Sequence, residues 1–229
     1  MVLGARRVDR CEAIAAEISA DGGEAVGLRL DLADDGSIKD FATAAEDAFG
    51  PIEVLVSNAG DTQLGRGVEI ATADFAQQAQ VNLLGPRHLV SLIAPGMIER
   101  HRGDLVFVTT DGIHSPRPGM AAYLTAKFGF EGYARILQLE LEGTGVRVSI
   151  VRPGPTGSEM GSSWDPDALA PLFEEWARWG LARHDCFLRP ADVARTVAAV
   201  VAMPRGSHIT LLEVQPEAPG PSDLQGGSS

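Results

Sequence analysis

Apolar and polar positions along the chain switch between two periods, and the switches mark the elements. Val2–Gly4 is a short apolar strand. Val8, Cys11, Ile14, Ala15 and Ile18 recur at helical spacing, which predicts a helix from about Val8 to Ser19 with one buried face. Asp21-Gly22-Gly23 breaks the chain. Val26, Leu28 and Leu30 alternate within Ala25–Leu30, the period of a strand. Ile38, Phe41, Ala42, Ala45 and Phe49 line a second helix from about Ser37, with Ser37 as its cap, to Phe49. After Gly50-Pro51, the continuous apolar run Ile52–Val56 reads as a strand buried on both faces.

The second half repeats the alternation. A long helical region runs from about Thr72 to Arg100, with Pro86 and Pro95 as points of bending or interruption. Leu105–Val108 is a buried strand, and a helix covers about Met120–Glu142. Val146–Val151 and Ile209–Val214 are further strands, and Pro190 opens a helix through about Ala202. Strands that alternate with helices imply a parallel sheet with helices on both faces, a doubly wound three-layer α/β/α fold. Residues 1–215 read as a single domain of this Rossmann-like kind. Residues 216–229, rich in Pro, Gly and Ser, read as a disordered tail.

Composition narrows the function. The 229 residues are 45% hydrophobic and 22% charged, ordinary for a soluble globular domain. A formal net charge of -12 argues against a nucleic-acid partner, which selects a basic face. The apolar stretches are too short for a membrane span. Cys11 and Cys186 form no CxxC pair, so neither a disulfide framework nor a metal site is expected, and a reducing cytoplasm is the natural setting.

Tyr123 and Lys127 lie four residues apart on one helix face. An ammonium near a phenol favours the phenolate, making a general acid/base for a substrate oxygen. Ser57-Asn58-Ala59-Gly60 closes an apolar strand with small residues, leaving room for a ligand. Asn82 sits in an otherwise apolar helix, where its amide needs partners. Thr109-Thr110 and Pro153-Gly154-Pro155-Thr156 follow strands at the carboxyl edge, where open α/β sheets bind ligands.

Taken in order, SNAG at 57–60, the VNLLG asparagine, YLTAK at 123–127 and RPGPT at 152–156 make the chain, from residue 2 to about 215, resemble the short-chain dehydrogenase/reductase family. The resemblance implies an NADP(H)-dependent oxidoreductase that interconverts a small-molecule carbonyl and alcohol. Tyr123 would be the acid/base, Lys127 would lower its pKa and bind the nicotinamide ribose, and Asn82 would hold a relay water. The family's serine, thirteen residues before the tyrosine, is here Thr110, whose hydroxyl can make the same bond within a narrower pocket.

Where NAD-preferring members end a strand with an acid, this chain has Ala5, then Arg6 and Arg7, and a guanidinium suits the 2′-phosphate of NADP. By resemblance Asp31 and Leu32 contact the adenine, Asn58, Ala59 and Gly60 line the cleft, and Pro153, Gly154, Thr156 and Ser158 flank the nicotinamide. The segment 157–185 would be a substrate lid carrying Met160, Trp164, Trp176 and His184; its aromatics either close over an apolar substrate or simply pack the segment down. Asp111, His114 and Arg117 stand between Thr110 and Tyr123, as substrate contacts or as exposed loop. Family members pair the helices that carry the Asn82 and Tyr123 counterparts, which implies a homodimer or homotetramer.

The family's opening strand, glycine-rich TGxxxGxG loop and first helix have no counterpart here. That strand is central, so without it the strands at 2–4 and 25–30 lose their link to the strand at 52–56. The resemblance implies a natural chain that begins about thirty residues before Met1, with a truncated homologue as the alternative. A non-catalytic dinucleotide-binding or scaffolding role is the competing function.

Overall fold

A computed structural model describes residues 1–161 and 164–220. The tail from residue 221 and positions 162 and 163 of the lid segment lie outside the described residues; 216–220 carry no regular element. The elements alternate as the pattern requires: β1 (Val2–Ala5), α1 (Val8–Ala20), β2 (Val26–Arg29), α2 (Asp35–Phe49), β3 (Val54–Ser57), α3 (Thr72–Ala79), α4 (Gly85–Glu99), β4 (Gly103–Val108), α5 (Ala121–Glu140), β5 (Val146–Pro153), α6 (Pro166–Arg178), α7 (Pro190–Val201) and β6 (Leu211–Val214). Every strand pairing is parallel. Among the described residues, no helix is long and apolar enough to cross a membrane.

The strands form two sheets. β1 pairs with β2, and β3-β4-β5-β6 form the other sheet in that order. Among the described residues no ladder joins β1 to β3, the break expected without a strand between them.

Helices cover both faces. Leu105 and Phe107 of β4, with Val148 and Ile150 of β5, pack into the main core with Leu89, Val90 and Ile93 of α4 and Phe130 and Ala134 of α5. Val106 and Val151, pointing the other way, pack on Val200 of α7. The small sheet is clasped through glycines. A side chain at Gly27 would strike the α1 backbone at Cys11 and Glu12, while one at Gly4 would strike the Phe41 ring of α2. Gly4 pairs with Leu28 and Gly27 with Leu3, so the two glycines open on opposite faces.

Three local expectations are corrected. The helix from residue 72 is interrupted by neither proline. A π-turn at Gln80–Leu84, with Asn82 buried at its centre, separates α3 from α4. Pro86 falls in the first turn of α4, where no N–H is required, and Pro95 lies inside a helix that continues to Glu99. The cap of α2 is Asp34, whose carboxylate accepts from Gly36 N and Ser37 N. Ser37 Oγ instead accepts from Asp31 N at 2.9 Å. Finally, β3 is not buried on both faces: Val54 and Val56 are 39% and 40% exposed. It is an edge strand whose ladder runs only to β4.

Candidate active site

The site forms where β4 and β5 end. Apolar neighbours on both sides bury all of β4, and the chain turns at its end through Thr109 and Thr110. Helix α5 then brings Tyr123, Lys127 and Glu131 inward as one row at four-residue spacing, each 5% exposed or less.

Two groups of that row grip the end of β4. Lys127 Nζ donates to Val108 O at 3.0 Å. Glu131 Oε2 accepts from Thr109 Oγ1 at 3.3 Å. Thr109 is thereby turned to the helix, whereas the Thr110 hydroxyl hydrogen-bonds Tyr123. Thr110 Oγ1 accepts from Gly112 N at 3.2 Å and donates to Asp111 Oδ1 at 3.3 Å.

Burial pushes the Tyr123 phenol up to about 12. The Thr110 hydroxyl and Arg117 pull it down, while Asp111 pushes it up. The expected lowering by Lys127 is therefore not met: burial outweighs every other influence on the phenol. Desolvation drives Lys127 down to about 8, and its Nζ lies 5.9 Å from the Tyr123 ring centre and 5.3 Å from that of Phe130. An ammonium so buried is costly and gives up its proton readily.

Asn82 is fully buried, and its amide has the work its position demanded. Nδ2 donates to Asp61 O at 2.8 Å and Gln78 O at 2.9 Å, and Oδ1 accepts from Asp61 N at 3.2 Å. It thus pins the loop after β3. A side chain at Gly60 would sit 2.8 Å from Asn82 Oδ1 and 3.7 Å from Lys127 Nζ, so the SNAG turn, Asn82 and Lys127 do converge.

Behind the row lies a charge network that the motifs did not reveal. Arg152, the residue before Pro153, reaches Glu131 through Nε at 2.8 Å and through a second bond from Nη2. Arg135 Nε donates to the same carboxylate at 3.0 Å. Arg152 also touches His114 Nε2 and lies 3.6 Å from Glu213 of β6. Burial alone would raise the Glu131 carboxyl, but the arginine hydrogen bonds outweigh it and hold the group below its usual range. The signal in the sequence was the row itself, Tyr123-Lys127-Glu131-Arg135. Asp111 and Arg117 form a second pair, Nη1 to Oδ1 at 3.0 Å and Nη2 to Oδ2 at 2.7 Å, beside Tyr123. His114 stands with Arg152 rather than with Tyr123.

The remaining candidates divide. Gly154 N donates to Val214 O at 2.8 Å, and Thr156 Oγ1 donates to Gly154 O at 2.9 Å, which shapes the turn after Pro153. Ser158 Oγ accepts from Met160 N at 3.3 Å, with both residues exposed. Asn58 and Ala59 are exposed at the end of β3. Leu32 is buried in the main core, and its carbonyl leaves no room for a side chain at Gly85. Asp31 Oδ1 accepts from Ala33 N at 3.0 Å.

In the lid segment, Trp176 is buried beside Met120, Tyr123 and Leu124 and donates Nε1 to Pro118 O at 2.9 Å. Trp164 donates Nε1 to Thr62 O at 2.9 Å. Both indoles anchor the segment to the body, and Arg66 adds an ion pair to Glu175 at 2.6 Å. His184 Nδ1 accepts locally from Cys186 N at 3.3 Å. Arg6 faces Asp61 at 3.4 Å, and Arg7 faces Glu159 at 2.8 Å.

The chain belongs to the short chain dehydrogenase family of oxidoreductases, whose description matches residues 1–169. It is similar to a short chain dehydrogenase of Pseudocercospora fijiensis, 34% identical over 217 residues that span 90% of this chain and 69% of the relative. A glycine betaine reductase of Emericella nidulans is 28% identical over 215 residues; the match covers 93% of this chain but only 16% of that much longer protein. Among solved structures, a metagenomic short-chain oxidoreductase in complex with NADP superposes with a TM-score of 0.77 at 30% identity, covering 95% of this chain and 86% of that one.

The residues fit a nicotinamide dinucleotide at its two ends. The open turn at Gly60 meets Asn82 and Lys127 at one end, and the β1–α1 turn offers guanidinium donors at the other. Among the described residues, no glycine-rich strand-to-helix turn stands between them to seat the pyrophosphate.

Proposed function

We propose that the chain interconverts a carbonyl and an alcohol with NADP(H). The observation that carries this reading is the convergence of Tyr123, Thr110 and Lys127 at the end of β4. The phenol, held up to about 12 by burial, keeps its proton at neutral pH and can hydrogen-bond a carbonyl oxygen; to transfer that proton its pKa must fall toward neutrality when the site is filled. Thr110 shares that oxygen through its hydroxyl. Lys127, near 8, exchanges protons close to neutrality and can return one to Tyr123. Asn82 holds the Asp61 loop that borders this path. A bound nicotinamide supplies or accepts the hydride.

Arg6 and Arg7 favour NADP over NAD through the 2′-phosphate. Pro153, Gly154, Thr156 and Ser158 flank the nicotinamide, Asn58, Ala59 and Gly60 line the cleft, and Asp31 and Leu32 meet the adenine. The 157–185 segment acts as the lid, with Met160 and Trp164 toward the substrate. Exposed Phe128, Ile136 and Leu139 on α5, with Leu84 and Leu92 near α4, support pairing of two copies. Two free cysteines support a reducing, cytoplasmic setting.

The test is NADPH oxidation over a panel of ketones. Tyr123→Phe is expected to cut turnover by about 10²–10⁴-fold with the fold intact. The missing ladder between β1 and β3 favours the rival reading, a binding protein without turnover; cofactor binding with no ketone reduced in the wild type would establish it instead.

A further inference from the structure

The Thr110 hydroxyl has one hydrogen to give, and its neighbours compete for it. Gly112 N donates to Thr110 Oγ1 at 3.2 Å. Asp111 Oδ1, 3.3 Å away, is a carboxylate oxygen that can only accept, so it takes the hydrogen. Tyr123 bonds the same hydroxyl, and while Asp111 holds the hydrogen the phenol can only donate to Thr110. In that arrangement Thr110 neither supports a phenolate nor donates to a carbonyl oxygen. Arg117 limits this hold. It grips both oxygens of Asp111, Nη1 to Oδ1 at 3.0 Å and Nη2 to Oδ2 at 2.7 Å, more closely than Thr110 does. The Asp111 and Arg117 side chains are 11% and 13% exposed, so water screens the pair little. From α6 and the loop after β3, apolar groups pack against this cluster, Leu172, Trp176 and Leu64, and Lys127 stands one turn along the phenol's own helix.

We propose that Asp111 and Arg117 are positioning residues for the acid: by drawing or releasing the Thr110 hydrogen, the pair decides how readily Tyr123 parts with its proton. The proposal rests on the reading of Tyr123 as the acid and adds what brings the phenol from its resting state toward a working one. With Arg117 occupying the carboxylate, Asp111 is a poor competitor. The Thr110 hydrogen can then turn to a substrate oxygen, or to the phenolate that forms as the proton leaves. The charges act in the same sense as the hydrogen bond: Asp111 disfavours the phenolate and Arg117 favours it. The two members of one ion pair therefore pull on Tyr123 in opposite directions. A pair that only braced the loop between Thr110 and Tyr123 would not, because losing either member would loosen the same loop.

The experiment is a titration of the phenol itself in the whole chain. The sequence has two tyrosines, and Tyr133→Phe keeps the ring that packs edge-on against Phe107. In that background the ultraviolet absorbance of the phenolate reports Tyr123 alone as the pH rises, and tryptophan fluorescence of the same samples marks unfolding. Asp111→Asn should make the phenol an about ten-fold stronger acid that ionises while the chain is still folded. Adding Arg117→Met should undo the gain, adding Arg117→Lys should keep most of it, and adding Thr110→Val should remove the part carried by the hydroxyl. Asp111→Ser, also neutral, serves where Asp111→Asn does not fold. The proposal is overturned if the phenol of the neutral variants ionises no earlier than in their parent, or if Arg117→Met or Thr110→Val leaves the gain intact. Unfolding of both neutral variants at neutral pH overturns it as well and makes the pair a brace. The titration uses neither cofactor nor ketone. A wild type that reduces no ketone sinks the oxidoreductase reading and leaves the pair's hold on the phenol standing, whereas ketone reduction with an unmoved phenol sinks the pair's role alone. Where both hold, the alkaline limb of kcat for ketone reduction should move down with the phenol.

Discussion

The two sheets deliver their carboxyl ends to neighbouring loops, but they are secured in opposite ways. At the end of β4 and β5, the side chains are buried and multiply bonded. Glu131 accepts from Thr109, Arg135 and Arg152, and Lys127 holds Val108 O. At the end of β1, the ties to the rest of the molecule are exposed ion pairs, Arg6 to Asp61 and Arg7 and Arg10 to Glu159. Burial fixes the first set of groups in place. The second set stands in solvent, where each ion pair contributes little. The same polarity of chemistry, arginine against carboxylate, is a structural brace in one place and a weak surface contact in the other.

The strongest way to break this comparison is Arg152→Met. It leaves the Glu131 carboxylate buried with Arg135 as its remaining cation and should cost about 3–5 kcal/mol in chemical denaturation. Arg10→Met, on the exposed side, should leave the same transition where it is. Replacing both members of the buried pair, Glu131→Leu with Arg152→Met, should recover most of the loss, because the charges that then lose a partner, Arg135 and Glu213, reach solvent. Equal stability of wild type and Arg152→Met would mean that the network does not brace the site.

Much of this was legible in the sequence, and the boundary has a physical cause. Tyr123, Lys127 and Thr110 were readable because they act through local spacing on one helix or at the end of one apolar strand. Asn82 was conspicuous as a polar residue in an apolar run, though the π-turn around it was not, since a helix period cannot show one extra residue in a turn. The Glu131–Arg152–Glu213 network joins a helix and two strands, and pairing of that kind depends on how the elements pack. The exposure of β3 was hidden for the same reason: an apolar run looks alike in a central strand and in one whose outer edge is bare. Asp34 displaced Ser37 as the cap of α2 because both can cap and only the backbone path decides between them.

Lys127 gives a pH-dependent form of the contrast. Its ammonium is lowered to about 8 in the folded chain, against 10.5 as the ordinary value. Between those values the unfolded chain carries the proton and the folded chain does not, so raising the pH through this window favours the folded state. Relative to Lys127→Met, which cannot titrate, the wild type should gain stability from about pH 8 to 10.5 and none from this residue below pH 7. The full gain is about 3 kcal/mol. Denaturation of both proteins across that range checks it, because the other titrating groups cancel in the difference. A flat difference would mean that water reaches the amine and that this side is less sealed than its burial indicates.

The smallest effect is also the cleanest comparison, because it concerns two valines paired in register. Val56 of β3 lies beside Val106 of β4. Val106 is 1% exposed and packs on Val151 and Val200, whereas Val56 is 40% exposed on a strand with one bare edge. Val106→Ala removes methyl groups from a filled core and should cost about 2 kcal/mol. Val56→Ala removes the same groups from a half-open surface and should cost under about 1 kcal/mol. The ratio of the two losses measures how bare the β3 edge is in solution. If Val56→Ala proves as costly as Val106→Ala, that face is covered in solution, and the gap between the two sheets is filled by a strand or surface that these residues do not themselves supply.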